Sequence, residues 1–316
     1  MNCPICSSTS AEVIRSVQSP YIDRRYTLYR CPSCGSFFFD PNEHVVDLFG
    51  LYNDAQHEAP ASFQFSKYWN RQRSIILGLL KSRRAPRRIL DVGCRNGDFL
   101  MHWSVDDIRI GVELSERNAG IARSRGIIVH NDFIERLNFD ERFDVVSCYA
   151  ILEHVRQPRL VLEKLAHLVV PGGVLAIMIP TVECRLRKGL ENKGIHWQMY
   201  APPAHLWFYS RRFLDSFFCG RGFQLVKRYY SAGGLENSYV PGSNSYILLR
   251  EASYESLSRF FGLAAQCTST DISTGFRSTY HKLRSLVVST LENYTPFRSY
   301  PYFDHLFSYY IANPGS

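Results

Sequence analysis

Long apolar runs are missing from this sequence. No stretch reaches the about 18 consecutive apolar residues of a bilayer-spanning helix, so none is expected to cross a membrane. The first residues place Cys3, Pro4 and Cys6 where a secretory signal would carry a basic stretch and then an apolar one, and a cytoplasmic protein is expected. Long basic runs are missing too. The formal net charge is +8, but the cations fall in small groups such as Arg24–Arg25, Arg83–Arg84 and Arg211–Arg212. A nucleic-acid arm would concentrate them, so the charge favours anionic partners in general without naming one. Internal repeats and low-complexity tracts are absent as well, which argues against a solenoid or a disordered chain.

What is present suits a globular chain of two domains, or of one large domain with extensions. The 316 residues are 45% hydrophobic, enough for an ordinary core. Nine cysteines occur, and four of them form two matching pairs, Cys3-Pro-Ile-Cys6 and Cys31-Pro-Ser-Cys34. Each pair makes a knuckle that aims two thiolates at one tetrahedral ion. Four soft ligands select zinc, or less often iron, and leave no open position, so the predicted role is structural. A domain this small cannot hold itself folded by burial alone. The spacer between the pairs can hold a hairpin, with strands at Glu12–Val17 and Tyr26–Arg30. The remaining cysteines read as small buried hydrophobes.

Beyond a linker at 41–63 and an apolar-striped helix at 62–82, the pattern alternates. Strands are predicted at Arg88–Gly93, Ile108–Leu114, Ile127–His130, Phe143–Cys148 and Val174–Ile179. Helices are predicted at Gly97–Trp103, Ser115–Ser124 and Pro158–Leu168. Such alternation builds a parallel sheet with helices on both faces. A helix at Ser210–Gly220 and strands at Phe223–Tyr230 and Ser245–Arg250 follow, and residues 253–316 read as helical. The expected division is a zinc-binding domain at 1–45, a linker and helix at 46–84, a core at 85–250 and a C-terminal helical extension at 251–316.

The chemistry centres on Ile89-Leu-Asp-Val-Gly-Cys-Arg-Asn-Gly-Asp-Phe-Leu100. A buried strand runs into a glycine turn and then a helix, which brings backbone N–H groups to a ligand at the carboxyl edge of the sheet. Asp91 either touches that ligand or orients the turn. Glu113, at the end of the second strand, can accept hydrogen bonds from both hydroxyls of a ribose. Asp132 follows the third strand and can take an adenine amino group, with the Phe133 ring against the base. Gly93, Cys94, Gly97 and Leu114 complete the expected lining.

These segments, with Phe143-Asp-Val-Val146, Leu152-Glu-His-Val155 and Pro171-Gly172-Gly173, resemble the ordered cofactor motifs of class I S-adenosylmethionine methyltransferases over roughly residues 85–250. The resemblance implies a Rossmann-like, seven-stranded, mostly parallel doubly wound sheet and S-adenosylmethionine as cofactor. The family usually has glycine where this chain has Arg95, so that side chain must point away from the cofactor or crowd its methionine end. A four-cysteine zinc domain before such a core resembles bacterial sugar and natural-product methyltransferases, in which the small domain helps close the substrate cleft. That implies a small-molecule acceptor, a sugar, nucleotide-sugar or natural-product intermediate of polysaccharide or natural-product biosynthesis, methylated at oxygen or carbon.

On the acceptor side stand Tyr149, Glu153 and His154, in the loop after the fourth strand. His154 has the ordinary pKa of a general base, and Glu153 can orient it or bind substrate; a structural role for His154 is the alternative. The segment from His196 to Tyr209 concentrates aromatics, and its His205 is a second base or substrate ligand. The competing readings are an RNA methyltransferase whose zinc domain touches RNA, and a non-catalytic protein that binds the cofactor.

Overall fold

The computed structural model describes residues 1–40, 66–80, 85–192, 197–231 and 305–314. The expected linker, the strand at 245–250 and the helical reading of 253–304 lie outside the described residues. The chain forms two compact units. One comprises Met1–Val182, Ala201–Arg228 and Phe307–Ser316; the other comprises Glu183–Tyr200 and Tyr229–Leu306.

The chain opens with the predicted hairpin. Strand β1 (Glu12–Gln18) runs antiparallel to β2 (Arg25–Arg30), from Glu12↔Arg30 to Gln18↔Arg25. After the second cysteine pair comes β3 (Phe37–Phe39), which pairs with β2 through Leu28↔Phe39. Helix α1 (Ser66–Leu79) precedes the core.

The core proceeds through β4 (Arg88–Val92), β5 (Ile108–Val112), α2 (Glu116–Ser124), β6 (Ile128–His130), β7 (Phe143–Tyr149), α3 (Pro158–Leu168) and β8 (Val169–Pro180). Then follow α4 (Arg185–Asn192), β9 (Trp207–Phe208), α5 (Arg211–Cys219), β10 (Phe223–Ser231) and β11 (His305–Ala312). Local chemistry explains the boundaries. Ser115 caps α2 by accepting from the Asn118 N–H, and Ser210 caps α5 by accepting from the Phe213 N–H. Pro158 sits in the first turn of α3, where its missing N–H costs nothing. Val161, Leu162, Leu165 and Leu168 then give that helix one buried stripe.

The seven-stranded sheet has the order β10-β11-β8-β7-β4-β5-β6. Neighbours β4–β5, β5–β6, β4–β7 and β7–β8 are parallel. The chain winds outward from β4 through β5 to β6, then crosses back and winds the other way through β7 and β8. The strand order therefore reverses at β4, and a crevice opens outside the carboxyl ends of β4, β5 and β7. Among the described residues, no helix is long and apolar enough to cross a membrane.

Three sequence expectations change. Residues 97–103 form only turns and a three-residue 3-10 helix, Leu100–His102, before Trp103 turns extended. No long helix dipole therefore stands behind the glycine turn. The strand expected at Val174–Ile179 is longer, because β8 begins at Val169 and absorbs Pro171-Gly172-Gly173 through a register shift opposite Phe143–Val145. The C-terminal extension is not helical throughout. Residues 305–312 form β11, the strand between β10 and β8, with every side chain buried. A strand covered on both faces reads as a continuous apolar run, which periodicity alone does not distinguish from a buried helix.

Two short strands escaped the sequence reading, and they meet. β3 pairs antiparallel with β9, Phe37↔Phe208 and Phe38↔Trp207, so the small sheet runs β1-β2-β3-β9. Its last strand comes from the carboxyl-terminal part of the chain, more than 160 residues downstream of β3.

Candidate active site

The turn leaving β4 is left-handed at three alternate residues: Gly93 at φ 80°, Arg95 at 51° and Gly97 at 83°. Gly93 is required twice over, because a Cβ there would meet the Ile151 side chain at 2.1 Å. Most N–H groups of the turn are spent inside the protein. Gly93 and Cys94 donate to the Val112 carbonyl at 2.8 and 3.0 Å, and Gly97 donates to the Cys94 carbonyl at 2.9 Å. The Arg95 side chain is exposed, while its N–H donates to Glu113 Oε2 at 2.9 Å. The Arg95 charge, together with its N–H, helps hold the Glu113 carboxyl down.

Glu113 is 9% exposed and doubly anchored, since Oε1 accepts from the Ser115 N–H at 2.7 Å. Burial pushes its pKa up, and the bonds from Ser115 and Arg95 pull it back. Its carbonyl and that of Leu114 accept from Asn131 Nδ2 at 2.8 and 2.9 Å, which stitches the ends of β5 and β6 together. Asp91 is deeper, at 4% exposure, and accepts from the Ser147 hydroxyl at 2.7 Å. Burial pushes its pKa up to about 7, against the pull of that hydroxyl.

Other expected lining residues sit differently. The Cys94 sulfur points under β5: a Cβ on Gly111 would lie 2.3 Å from it. Asp132 Oδ1 accepts from the Phe133 N–H at 2.7 Å and from Arg136 at 3.4 Å. The Phe133 ring is buried beneath two guanidinium groups, those of Arg156 at 4.4 Å and Arg136 at 5.1 Å. Tyr149 packs into an aromatic cluster with Phe99 at 5.4 Å, Trp69 at 5.6 Å and Phe307 at 6.0 Å. Trp69 and Phe307 had no sequence signal, because they come from α1 and β11, far apart in the chain.

Glu153, His154 and His205 are brought together, with ligand-type atoms all within 4.8 Å of one another. The two imidazole rings meet edge to face at 4.8 Å. His154 Nδ1 lies 2.7 Å from the Ala204 carbonyl, and its Nε2 lies 3.9 Å from Glu153 Oε1. Two loops are zipped here: Leu206 N–H donates to the Glu153 carbonyl at 2.7 Å, and Tyr209 hydroxyl donates to the Leu152 carbonyl at 3.0 Å. Trp207 Nε1 donates to the Val155 carbonyl at 2.5 Å.

The four knuckle cysteines also converge. Cys3 and Cys34 sulfurs are 3.9 Å apart, and those of Cys6 and Cys31 are 3.6 Å apart. The two knuckles share one backbone form. Ser7 N–H donates to the Cys3 carbonyl at 2.8 Å and Gly35 N–H to the Cys31 carbonyl at 2.7 Å, with φ of 65° and 76°. The hydrogen bond from Cys3 draws the Cys34 pKa down to about 5, while burial pushes Cys6 up to about 11. The second knuckle is tied to the α5 cap: Ser210 hydroxyl donates to the Cys34 carbonyl and Arg212 to the Ser33 carbonyl.

Residues 65–228, just over half of the chain, match the family model described as a methyltransferase domain. The chain belongs to the methyltransferase family. Its doubly wound core is the class I, S-adenosylmethionine-dependent form, and the matched span holds the core from α1 to β9 and the start of β10, while β11 lies beyond it. The four cysteines precede it. This methyltransferase is 35% identical over 96 residues to the ubiquinone biosynthesis O-methyltransferase of Bordetella bronchiseptica, covering 28% of this chain and 40% of that protein. It is 34% identical over 98 residues to the enzyme of the same name from Dechloromonas aromatica, covering 28% and 42%. The chain thus spans about two-fifths of the length of these relatives. Among solved structures it is similar to the N-methyltransferase NodS from Bradyrhizobium japonicum in complex with S-adenosyl-L-homocysteine. There the identity is 16%, the coverage 58% of this chain and 89% of that one, and the TM-score 0.41.

Proposed function

We propose that this methyltransferase moves a methyl group from S-adenosylmethionine to an oxygen or carbon of a small-molecule acceptor, a ring-bearing sugar or natural-product intermediate. The carrying observation is Glu113, fixed beside the strand-order reversal by two backbone N–H groups. Each carboxylate oxygen uses one acceptor site on the protein, so capacity remains for the two vicinal hydroxyls of a ribose. When bound, S-adenosylmethionine supplies an electrophilic methyl group on a sulfonium. Asp91 and Ser147 brace the turn from beneath, and Phe99 and Tyr149 exclude water from the apolar side of the crevice. Glu153, His154 and His205 meet the polar group of the acceptor and favour its deprotonated form. The name of the O-methyltransferase relatives supports oxygen as the methylated atom.

The four cysteines fit zinc in a structural role. A tetrahedral ion with Zn–S bonds of about 2.3 Å sets its sulfurs roughly 3.8 Å apart. The 3.6 and 3.9 Å separations bracket that value and far exceed a disulfide.

Labelled S-adenosylmethionine with a panel of hydroxylated ring and sugar acceptors tests the reading. Transfer of label to one class supports it. Absence of measurable affinity for S-adenosyl-L-homocysteine by calorimetry overturns it.

A further inference from the structure

We infer that Glu153, His154 and His205 hold a divalent cation of the borderline class, such as zinc, cobalt or iron(II), separate from the four-cysteine cluster. The inference deepens the acceptor-side reading and rests on it for what the ion does, though not for its binding.

The donor set is two imidazoles and one carboxylate, which suits borderline divalent ions and leaves coordination positions open. An ion about 2.1 Å from its N and O ligands holds them roughly 3–4.2 Å apart. The His154 Nε2 to Glu153 Oε1 distance of 3.9 Å falls in that range, and all three donors lie within 4.8 Å of one another. Small side-chain rotations close the remainder.

The surroundings are those of a built site. His154 Nδ1 sits 2.7 Å from the Ala204 carbonyl, so Nδ1 carries the proton and Nε2 presents its lone pair towards Glu153. That is the arrangement by which an outer carbonyl fixes the tautomer of a metal-binding histidine. His205 is delivered from a separate segment by backbone bonds at its very neighbour, since the Leu206 and Trp207 N–H groups both reach the Glu153 carbonyl, at 2.7 and 3.3 Å. The Trp207 indole and Tyr209 hydroxyl clamp the same two segments at Val155 and Leu152. The donors are thus held before any ion arrives. Glu153 is 1% exposed, and a dication offsets the penalty that burial puts on its charge.

The cluster follows β7 at the carboxyl edge of the sheet, on the acceptor side. An acceptor hydroxyl on the open position becomes more acidic and releases its proton to solvent water. Its oxygen lone pair then forms the new bond to the methyl carbon. The methyl–sulfur bond breaks with its electrons passing to sulfur, which leaves as a neutral thioether. In this role His154 positions through the ion instead of acting as the base.

The test uses the full chain, washed with EDTA, with residual metal counted by elemental analysis. Co2+ is titrated by calorimetry and absorption spectroscopy, where thiolate ligation at the cysteine cluster declares itself by sulfur-to-cobalt charge transfer and nitrogen–oxygen ligation does not. One Co2+ without the sulfur bands is expected, with affinity weakened at least tenfold in His205→Ala and in Glu153→Gln. No such ion in the wild type, or a smaller loss in the variants, overturns the site. If the buried Glu153→Gln variant does not fold, His205→Asn, at a half-buried position, decides. Affinity for S-adenosyl-L-homocysteine in the same samples, expected to stay within twofold, tests the cofactor reading independently.

Discussion

Replacing Glu113 by glutamine changes one atom type and leaves the shape intact. The carboxylate receives one N–H at each oxygen, from Ser115 at 2.7 Å and Arg95 at 2.9 Å. An amide keeps one of these bonds and sets an NH2 against the other donor. It also removes the charge that a ribose diol would bind. Hydrogen bonds to a charged group contribute about 1.5–3 kcal/mol, so affinity for S-adenosyl-L-homocysteine should fall roughly 10- to 150-fold. Stability should fall by much less. Burial already pushes the Glu113 pKa up, so losing the charge returns part of what the orphaned N–H costs. Calorimetric titration of Glu113→Gln, alongside thermal unfolding without ligand, reads the two effects separately. An affinity within threefold of wild type would refute the ribose assignment. A large loss of stability with unchanged affinity would make Glu113 a brace for the turn and nothing more.

Further consequences are open to measurement. Cys31→Ser should leave the purified chain with little bound zinc by elemental analysis and should loosen residues 1–40 to limited proteolysis; full zinc retention would contradict the shared four-thiolate site. Ser7 is exposed and holds a left-handed φ of 65°, where the other knuckle has Gly35. Ser7→Gly should therefore add roughly 0.5–1 kcal/mol to stability by denaturant titration, the left-handed strain less the entropy of glycine. Asp91 is raised to about 7 in the folded chain, above the ordinary carboxylate value, so folding takes up a proton between about pH 4 and 7. Stability linked to this group is present below that window and lost as pH rises through 7, by up to about 4 kcal/mol. Asp91→Asn should flatten this dependence and be the more stable form at pH 8; an unchanged pH profile would show that Asp91 ionises normally.

Much of the core was legible because its signals are local. The Pro158 start, the Leu162–Leu165 stripe and the Ser115 and Ser210 caps each lie within a few residues of the structure they specify. Asp91, Gly93 and Glu113 stand together at neighbouring strand ends because parallel strands must end together. What was missed depends on partners remote in sequence. Trp207–Phe208 is too short to show any period, and it becomes a strand only because Phe37–Phe38 is there to pair with it. Residues 305–312 offered an apolar run without alternation, and only their place between two strands made them β11. The Phe133 ring, expected beside the adenine, also carries the guanidinium of Arg156 from beyond β7, next to that of its close neighbour Arg136. The Glu153–His154 dipeptide was visible, but its approach to His205 is set by carbonyl and indole contacts that leave no mark in the sequence.

Because β9 belongs to the N-terminal sheet while its flanking residues carry His205 and the α5 cap, the cysteine module is not an accessory that can be trimmed away. Excising it would strip the pairing edge from Trp207–Phe208 and leave the Leu206 carbonyl without the Phe39 N–H it accepts at 3.0 Å. A bare strand edge beside two large aromatic rings invites association with other chains. A shortened methyltransferase made for crystallisation or assay would thus be a different molecule, prone to clump and with His205 adrift. The four-cysteine cluster therefore bears on the segment that holds His205 through a single strand pairing.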